Sequence, residues 1–265
     1  MSPLKRSTRN TPHTHSDPTT MRIPRFYLDL PLQTGQQFEL APEIFRHAIQ
    51  VLRLNPGENL ILFNGRGGEY LAELTRIEKR RAKVLIRNFN PEDTESALQL
   101  TLVQALIKPD RMDLALQKSV ELGVTAIQPL LTQRSVVRPG PEQFDKKRQH
   151  WEAVVSSACE QSGRTRLPAV LPLLTLDDYL AASAGRERLI LVPGAHQRLP
   201  ELAFAPYPPP ALEVLVGPEG GFSDEEVSTS LQAGSRPLGL GPRILRAETA
   251  ALTIISLLQQ RFGDL

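Results

Sequence analysis

The sequence predicts an α/β protein made of a small N-terminal β-barrel and a larger domain built on a mainly parallel sheet. Two observations carry this. Residues 22–89 hold about five short β segments broken by turn residues, the pattern of a small barrel. From Leu100 onward, strand-length apolar runs alternate with stretches of helical period, the order that lays helices on a parallel sheet. The expected division is a tail at 1–20, a barrel at 21–90 and an α/β domain at 97–265.

Residues 1–20 are rich in Ser, Thr, Pro, Arg and His without apolar periodicity, so a disordered tail is expected. His13 and His15 within it do not suggest a metal site. In the barrel, Arg25 to Leu30 alternates and His47 to Leu54 suits a short helix. Asn59 to Asn64 (NLILFN) is an apolar strand turned by Gly65, Gly67 and Gly68. Glu69 to Ile77 and Lys83 to Phe89 supply two more strands. Arg46, Arg53, Arg66, Arg76, Arg80 and Arg81 fall in turn regions, where they suit phosphate contact or are ordinary solvated charge. Asn90 to Ser96 (NPEDTES) is polar and acidic and reads as a linker.

Beyond the linker, Leu100 to Ile107 is a strand and Asp110 to Leu122 a helix whose face includes Met112, Ala115, Leu116 and Leu122. Ala126 to Leu131 is a strand and Pro141 to Ser162 a long helix. Leu189 to Val192 and Leu212 to Val216 are buried strands. Ser223 opens a helix with Ser-Asp-Glu-Glu, in which Glu226 reaches back to free backbone donors. In the last helix, Ala247 to Arg261, the residues Ala247, Ala250, Ala251, Ile254, Leu257 and Leu258 line one face.

Composition narrows the function classes. No apolar run approaches the roughly 18 residues of a membrane helix, and the N-terminus lacks the apolar core of a secretory signal. Cys159 stands alone, so neither an internal disulfide nor a cysteine-based zinc site is expected. It reads as a small buried residue rather than a nucleophile. Cytoplasm follows by elimination. Charge is uneven: residues 1–20 carry three cations against one anion (+2), 21–90 carry 11 against 7 (+4), and 91–265 carry 17 against 21 (−4). A basic N-terminal part on an acidic remainder fits a module that meets a polyanion, or ordinary charge scatter.

Chemistry is concentrated between Leu215 and Thr249. Parallel sheets place ligands at the carboxyl ends of their strands. Val214 to Val216 runs directly into Gly217-Pro218-Glu219-Gly220-Gly221, where glycines let backbone approach a ligand. The spacing matches neither the P-loop nor G-x-G-x-x-G, which weighs against nucleotide triphosphates and dinucleotides. A second segment, Leu238-Gly239-Leu240-Gly241-Pro242, is read as a short strand giving way to a loop, followed by Arg243 and Arg246. Glu248 and Thr249 then enter a helix. Two glycine loops at neighbouring strand ends suit a backbone-lined slot for adenine and ribose.

These two segments, LVGPEGGFSDEE from Leu215 and LGPRILRAETAAL from Leu240, resemble the ribosomal small-subunit RNA uridine-N3 methyltransferase family of the SPOUT superfamily. The resemblance extends to RIPRFYL from Arg22, VLRLNPGENLILFNGRGGEYLAEL from Val51, KPDRMDLALQKSVELGV from Lys108 and ACEQSGR from Ala158. It implies a PUA-like barrel, a trefoil-knotted α/β domain and a homodimer. It also implies S-adenosylmethionine held by three loops, with methyl transfer to N3 of uridine 1498 of 16S rRNA in the small subunit. Carried onto this sequence, cofactor contacts fall on Leu191, Val192, Gly217, Pro218, Gly220, Leu238, Gly239, Leu240, Ile244 and Leu245. Arg243 and Arg246 are expected to stabilise charge on the uracil or grip a phosphate. Glu248 is expected to act as a base, to orient an arginine, or to serve as a first-turn acid. RNA contact is assigned to Arg22, Arg25, Arg53, Arg66, Arg134 and Arg164. For Glu160, Gln161 and Arg164, helix capping before Gly163 competes with facing RNA or a partner subunit. Trp151 reads as core. No metal or membrane is implied. The competing functions are ribose 2′-hydroxyl methylation of another RNA and a non-catalytic RNA-binding assembly factor.

Overall fold

The computed structural model describes residues 23–265, so the expected tail and Arg22 lie outside the described residues. Two sheets organise the chain. The first contains β1 (Arg25–Tyr27), β2 (Gln37–Glu39), β3 (Asn59–Phe63), β4 (Glu69–Ile77) and β5 (Ala82–Asn90) in the order β1-β3-β4-β5-β2. β1 pairs parallel to β3, and the other pairings are antiparallel. Alternate residues point inward: Leu60 and Leu62, Ala72 and Leu74, Val84 and Ile86 share one core with Phe26. The edge strands β1 and β2 do not pair with each other. Instead α1 (Pro42–Phe45) and the π-helical turn that continues it (Arg46–Val51) bring Ile44, Phe45 and Ala48 into this core. The mixed pattern from His47 therefore becomes a wide turn, closed by Leu52 N–H donating to His47 O (2.9 Å).

The second sheet is wholly parallel. Its strands are β6 (Gln99–Ala105), β7 (Ala126–Leu131), β8 (Ala169–Val170), β9 (Leu174–Thr175), β10 (Arg188–Leu191), β11 (Ala211–Val216) and β12 (Arg236–Leu238). The order is β12-β10-β11-β6-β7-β8, with β9 also on β7. The intervening helices are α2 (Pro109–Glu121), α3 (Pro141–Ser162), α4 (Leu176–Ala182), α5 (Asp224–Gln232) and α6 (Ala247–Phe262). Proline opens α2 and α3, where its missing N–H leaves no bond unmade. Ser223 caps α5 as its sequence predicts: its Oγ accepts from Glu226 N–H (3.2 Å), and Glu226 Oε2 accepts from Ser223 N–H (2.8 Å). α6 buries Ala247, Ala251, Ile254, Ile255 and Leu258, whereas Leu257, expected on that face, is exposed.

β12 ends at Leu238, earlier than the sequence suggests, because the chain at Gly239 turns onto a neighbouring loop. The strand register aligns the ends of three strands. Ile190 lies beside Leu215 and Leu191 beside Leu238, so the carboxyl ends of β10, β11 and β12 stand side by side at one edge.

The two sheets meet along a bonded seam. Tyr27 N–H donates to Glu160 Oε1 (2.9 Å), Gly67 N–H to Thr165 O (3.2 Å) and Leu167 N–H to Gly65 O (3.3 Å). The acidic stretch read as a linker is held fast there. Asp93 pairs with Arg166 (2.7 Å), Glu95 with Arg164, and Ser96 Oγ donates to Gln259 Oε1 (2.7 Å).

Candidate active site

The three adjacent strand ends open a cleft at the edge where ligands of parallel sheets bind. Its walls are Leu191–Pro193 after β10, Val216–Glu219 and Gly221 after β11, and parts of 238–245 after β12, with Ala247 and Ala250 of α6 behind.

Each loop is shaped by contacts that its sequence allows. In the β11 loop, Gly221 has φ +69° and donates its N–H to Pro218 O (2.8 Å). A Cβ on Gly217 would lie 3.0 Å from Phe222 N, so the loop folds over its own backbone. Arg134 Nη1 donates to Gly220 O (2.9 Å) and Phe222 O (3.1 Å), and Lys108 N–H donates to Glu219 Oε1 (3.0 Å). In the β12 loop, Gly239 N–H donates to Gln197 O (3.0 Å), and a Cβ there would lie 2.2 Å from Ala195 O. Only glycine permits that approach of the β12 loop to the β10 loop.

The structure brings most of the predicted cofactor residues together. Leu191, Val192, Gly217, Pro218, Leu238, Leu240, Ile244 and Leu245 line the cleft, Ile244 being 80% exposed. Gly220 and Gly239 do not line it. Gly220 packs on Arg134, and Gly239 makes the loop crossing behind the wall. Pro193, Glu219, Gly221 and Gly241 of the same three loops line the cleft as well, as do Val216, Ala247 and Ala250, which the sequence does not mark.

Arg243 lines the cleft, and Arg246 stands at the N-cap of α6 next to it. Both are exposed, and neither side chain makes a hydrogen bond or ion pair among the described residues. Glu248 differs from the base expected there. It is buried in the first turn of α6, its carboxylate accepts from Arg111 Nη1 of α2, and it does not line the cleft. The readings that it orients an arginine and that it is a first-turn acid both fit this geometry.

Two expected RNA contacts, Arg164 and Arg25, are also corrected, whereas Arg134 stays exposed. Arg164 is 5% exposed; its Nε donates to Glu95 Oε2 (3.0 Å) and its Nη1 to Val120 O (2.9 Å) and Val124 O (2.8 Å). It locks the seam because α3 ends at Gly163, in the left-handed region at φ +88°, and turns the next side chain inward. Arg25 pairs with Glu69 and donates to Arg164 O (3.1 Å). Arg134 braces the β11 loop. Arg53 and Arg66 stay exposed and without an ion pair among the described residues, whereas Arg76 and Arg81 pair with Glu78, whose carboxyl Arg81 holds below its ordinary range.

Glu160 is half-buried, and burial raises its carboxyl above the ordinary range against the opposing bond from Tyr27 N–H. Burial pushes the Cys159 thiol up to about 12, in keeping with packing rather than nucleophilic use. Trp151 is buried in the core. Among the described residues no cluster of His, Cys, Asp or Glu is arranged to hold a metal, and no helix is long and apolar enough to cross a membrane.

Comparison with known proteins matches residues 94–259 to the RNA methyltransferase domain family and residues 40–87 to the RNA methyltransferase PUA domain family. Ribosomal RNA small subunit methyltransferase E of Buchnera aphidicola from Schizaphis graminum is 34% identical over 92% of this chain and 98% of its own. Two solved structures resemble the fold closely. A methyltransferase from Legionella pneumophila in complex with the cofactor SAM has TM-score 0.88 and 40% identity, covering 92% of this chain and 100% of that one. A ribosomal RNA small subunit methyltransferase E from Neisseria gonorrhoeae bound to S-adenosyl methionine has TM-score 0.85 and 42% identity over the same shares.

Proposed function

This chain belongs to the ribosomal RNA small subunit methyltransferase E family, and we propose that it transfers a methyl group from S-adenosylmethionine to N3 of uridine 1498 of 16S rRNA. The carrying observation is the three-loop cleft, in a chain 40% and 42% identical to methyltransferases solved with that cofactor. The residues fit the group. Leu191, Val192, Leu238, Leu240 and Ile244 offer apolar surface for an adenine, and the glycine-rich β11 loop presents backbone where a Cβ would crowd the wall. Gly217, Pro218 and Leu245 complete the holding set, while Gly239 fits the β12 loop against the β10 loop.

When bound, the cofactor supplies an electrophilic methyl group on a sulfonium. The chain's own task is to align N3 with that methyl group and to stabilise the charge that grows on the uracil as N3 loses its proton. Arg243 holds the developing charge on a uracil oxygen. Arg246 assists it or grips the flanking phosphate. Glu248 acts through Arg111, fixing the start of α6 and with it both arginines.

The barrel at 21–90 presents RNA-binding surface through Arg53 and Arg66, and the domain at 97–265 carries catalysis. The close approach of Gly239 to Ala195, which holds the β12 loop against the β10 loop, supports a trefoil knot. Leu257, exposed on α6, supports a homodimer, and a ribosomal substrate supports a cytoplasmic site of action.

The test is to assemble small subunits lacking the modification, add labelled cofactor and map the product. Labelled 3-methyluridine at 1498 is expected. Its absence sinks the reading, and a ribose-methylated nucleoside redirects it to the 2′-hydroxyl.

A further inference from the structure

Methyl transfer to uridine N3 requires a proton acceptor, and Glu248 is bound to Arg111 instead. Among the described residues, the cleft lining contains one acidic side chain, Glu219 of the β11 loop, and one arginine, Arg243 of the β12 loop. Glu219 is exposed on the rim but is not adrift. Its Oε1 accepts from Lys108 N–H (3.0 Å), while Oε2 has no hydrogen-bond partner among the described residues. The loop around it is stiffened by the Gly221 turn and by Arg134 on the carbonyls of Gly220 and Phe222. One carboxylate oxygen is thus anchored and the other is available, on a braced loop, in a cleft whose lining also includes an arginine.

That arrangement matches the edge of a uracil. Its N3–H is a donor between two carbonyl acceptors, so a carboxylate facing N3 and a guanidinium facing a flanking oxygen complete the pattern. We infer that Glu219 is the catalytic base that takes the N3 proton, an inference that rests on the methyl-transfer reading above. The proton passes from N3 to Glu219 Oε2. The pair left on N3 takes up the methyl group, and the pair of the broken carbon–sulfur bond stays on sulfur. The carboxylic acid then returns its proton to solvent.

Glu219→Gln separates a base from an anchor, because the amide oxygen still accepts from Lys108 N–H but cannot hold the proton. At saturating cofactor, its single-turnover rate is expected to fall about 10²-fold or more, the usual worth of a positioned base. Cofactor affinity by calorimetry should stay close to that of the unsubstituted protein. Placing 5-fluorouridine at the target, which gives up its N3 proton more readily, should restore most of the lost rate. A readout independent of turnover is RNA affinity without cofactor. Binding of the 5-fluorouridine RNA should weaken in the unsubstituted protein as pH is raised until that base ionises, since two anions then meet, and this loss should be blunted in Glu219→Gln. An unchanged rate overturns the inference. So does a rate loss explained by weaker cofactor binding, or one that 5-fluorouridine does not relieve. If the unsubstituted protein itself leaves N3 unmethylated, the methyl-transfer reading falls and this inference falls with it.

Discussion

Two arginines show how differently this chain uses one side-chain type. Arg164, at the seam, is surrounded by acceptors: Glu95 and the carbonyls of Val120 and Val124. Arg243, on the cleft, is exposed and bonded to nothing among the described residues. Both follow a glycine-bearing turn, but Gly163 directs its successor into the protein, whereas the β12 loop carries its arginine along an open rim. A buried guanidinium must be matched by acceptors to offset desolvation, so it is structural; an unmatched one survives only where water or a ligand can reach it. Burial therefore sorts the arginines better than their place in a motif.

The contrast is broken most severely at the seam. Arg164→Met should lose about 3–5 kcal/mol of stability, because Glu95 and two carbonyls are left without their partner. Denaturant unfolding should show it, while RNA affinity of the folded fraction stays unchanged. If Arg164→Met instead weakens RNA binding without loss of stability, the assignment of Arg164 to structure is wrong. On the cleft the effects should reverse. Arg243→Ala should leave the unfolding midpoint in place and lower single-turnover methyl transfer about 10²-fold, the scale of a lost charge-stabilising donor. Arg246→Ala should reduce turnover less, with cofactor affinity nearly intact. Unaltered turnover in both variants would remove these arginines from the reaction.

The same contrast explains what was legible in the sequence. β4, β7 and α3 have the bounds that alternation, apolar runs and flanking Pro141 and Gly163 suggest, since those signals are local. Two glycine loops at neighbouring strand ends follow from the parallel sheet, which gathers its loops at one edge, whereas the third loop follows only from the family resemblance. Partnership was not legible. NPEDTES reads as a loose linker, yet Asp93 and Glu95 meet Arg166 and Arg164, more than 65 positions away. Glu248 reads as a first-turn acid, and only tertiary packing supplies Arg111. Gly239 reads as a cofactor contact, although in the structure it fits the β12 loop against Ala195.

That steric function gives the next test. Gly239→Ala places a methyl group 2.2 Å from Ala195 O, where backbone rather than a flexible side chain must yield. Such overpacking should cost about 1–3 kcal/mol, and it should weaken cofactor binding in calorimetry because the β10 and β12 loops separate. Gly220→Ala is the control: its Cβ would lie 3.4 Å from the Arg134 side chain, an ordinary contact, so stability should barely change. Equal losses in the two variants would mean that the loop crossing is not what demands glycine.

The smallest effect returns to the seam, at Glu160, where burial raises the carboxyl above its ordinary range. The folded state then holds this proton more tightly than the unfolded chain does. Its contribution is fully present below the unfolded value, about 4.3, and is lost as pH rises through the higher folded value. Glu160→Gln keeps an oxygen to accept from Tyr27 N–H but removes the ionisation. Stability measured from pH 4 upward should therefore decline less steeply in Glu160→Gln than in the unsubstituted protein. Superimposable pH profiles would mean that water reaches this carboxylate, and that the seam is wetter at Glu160 than at Arg164 only a turn away.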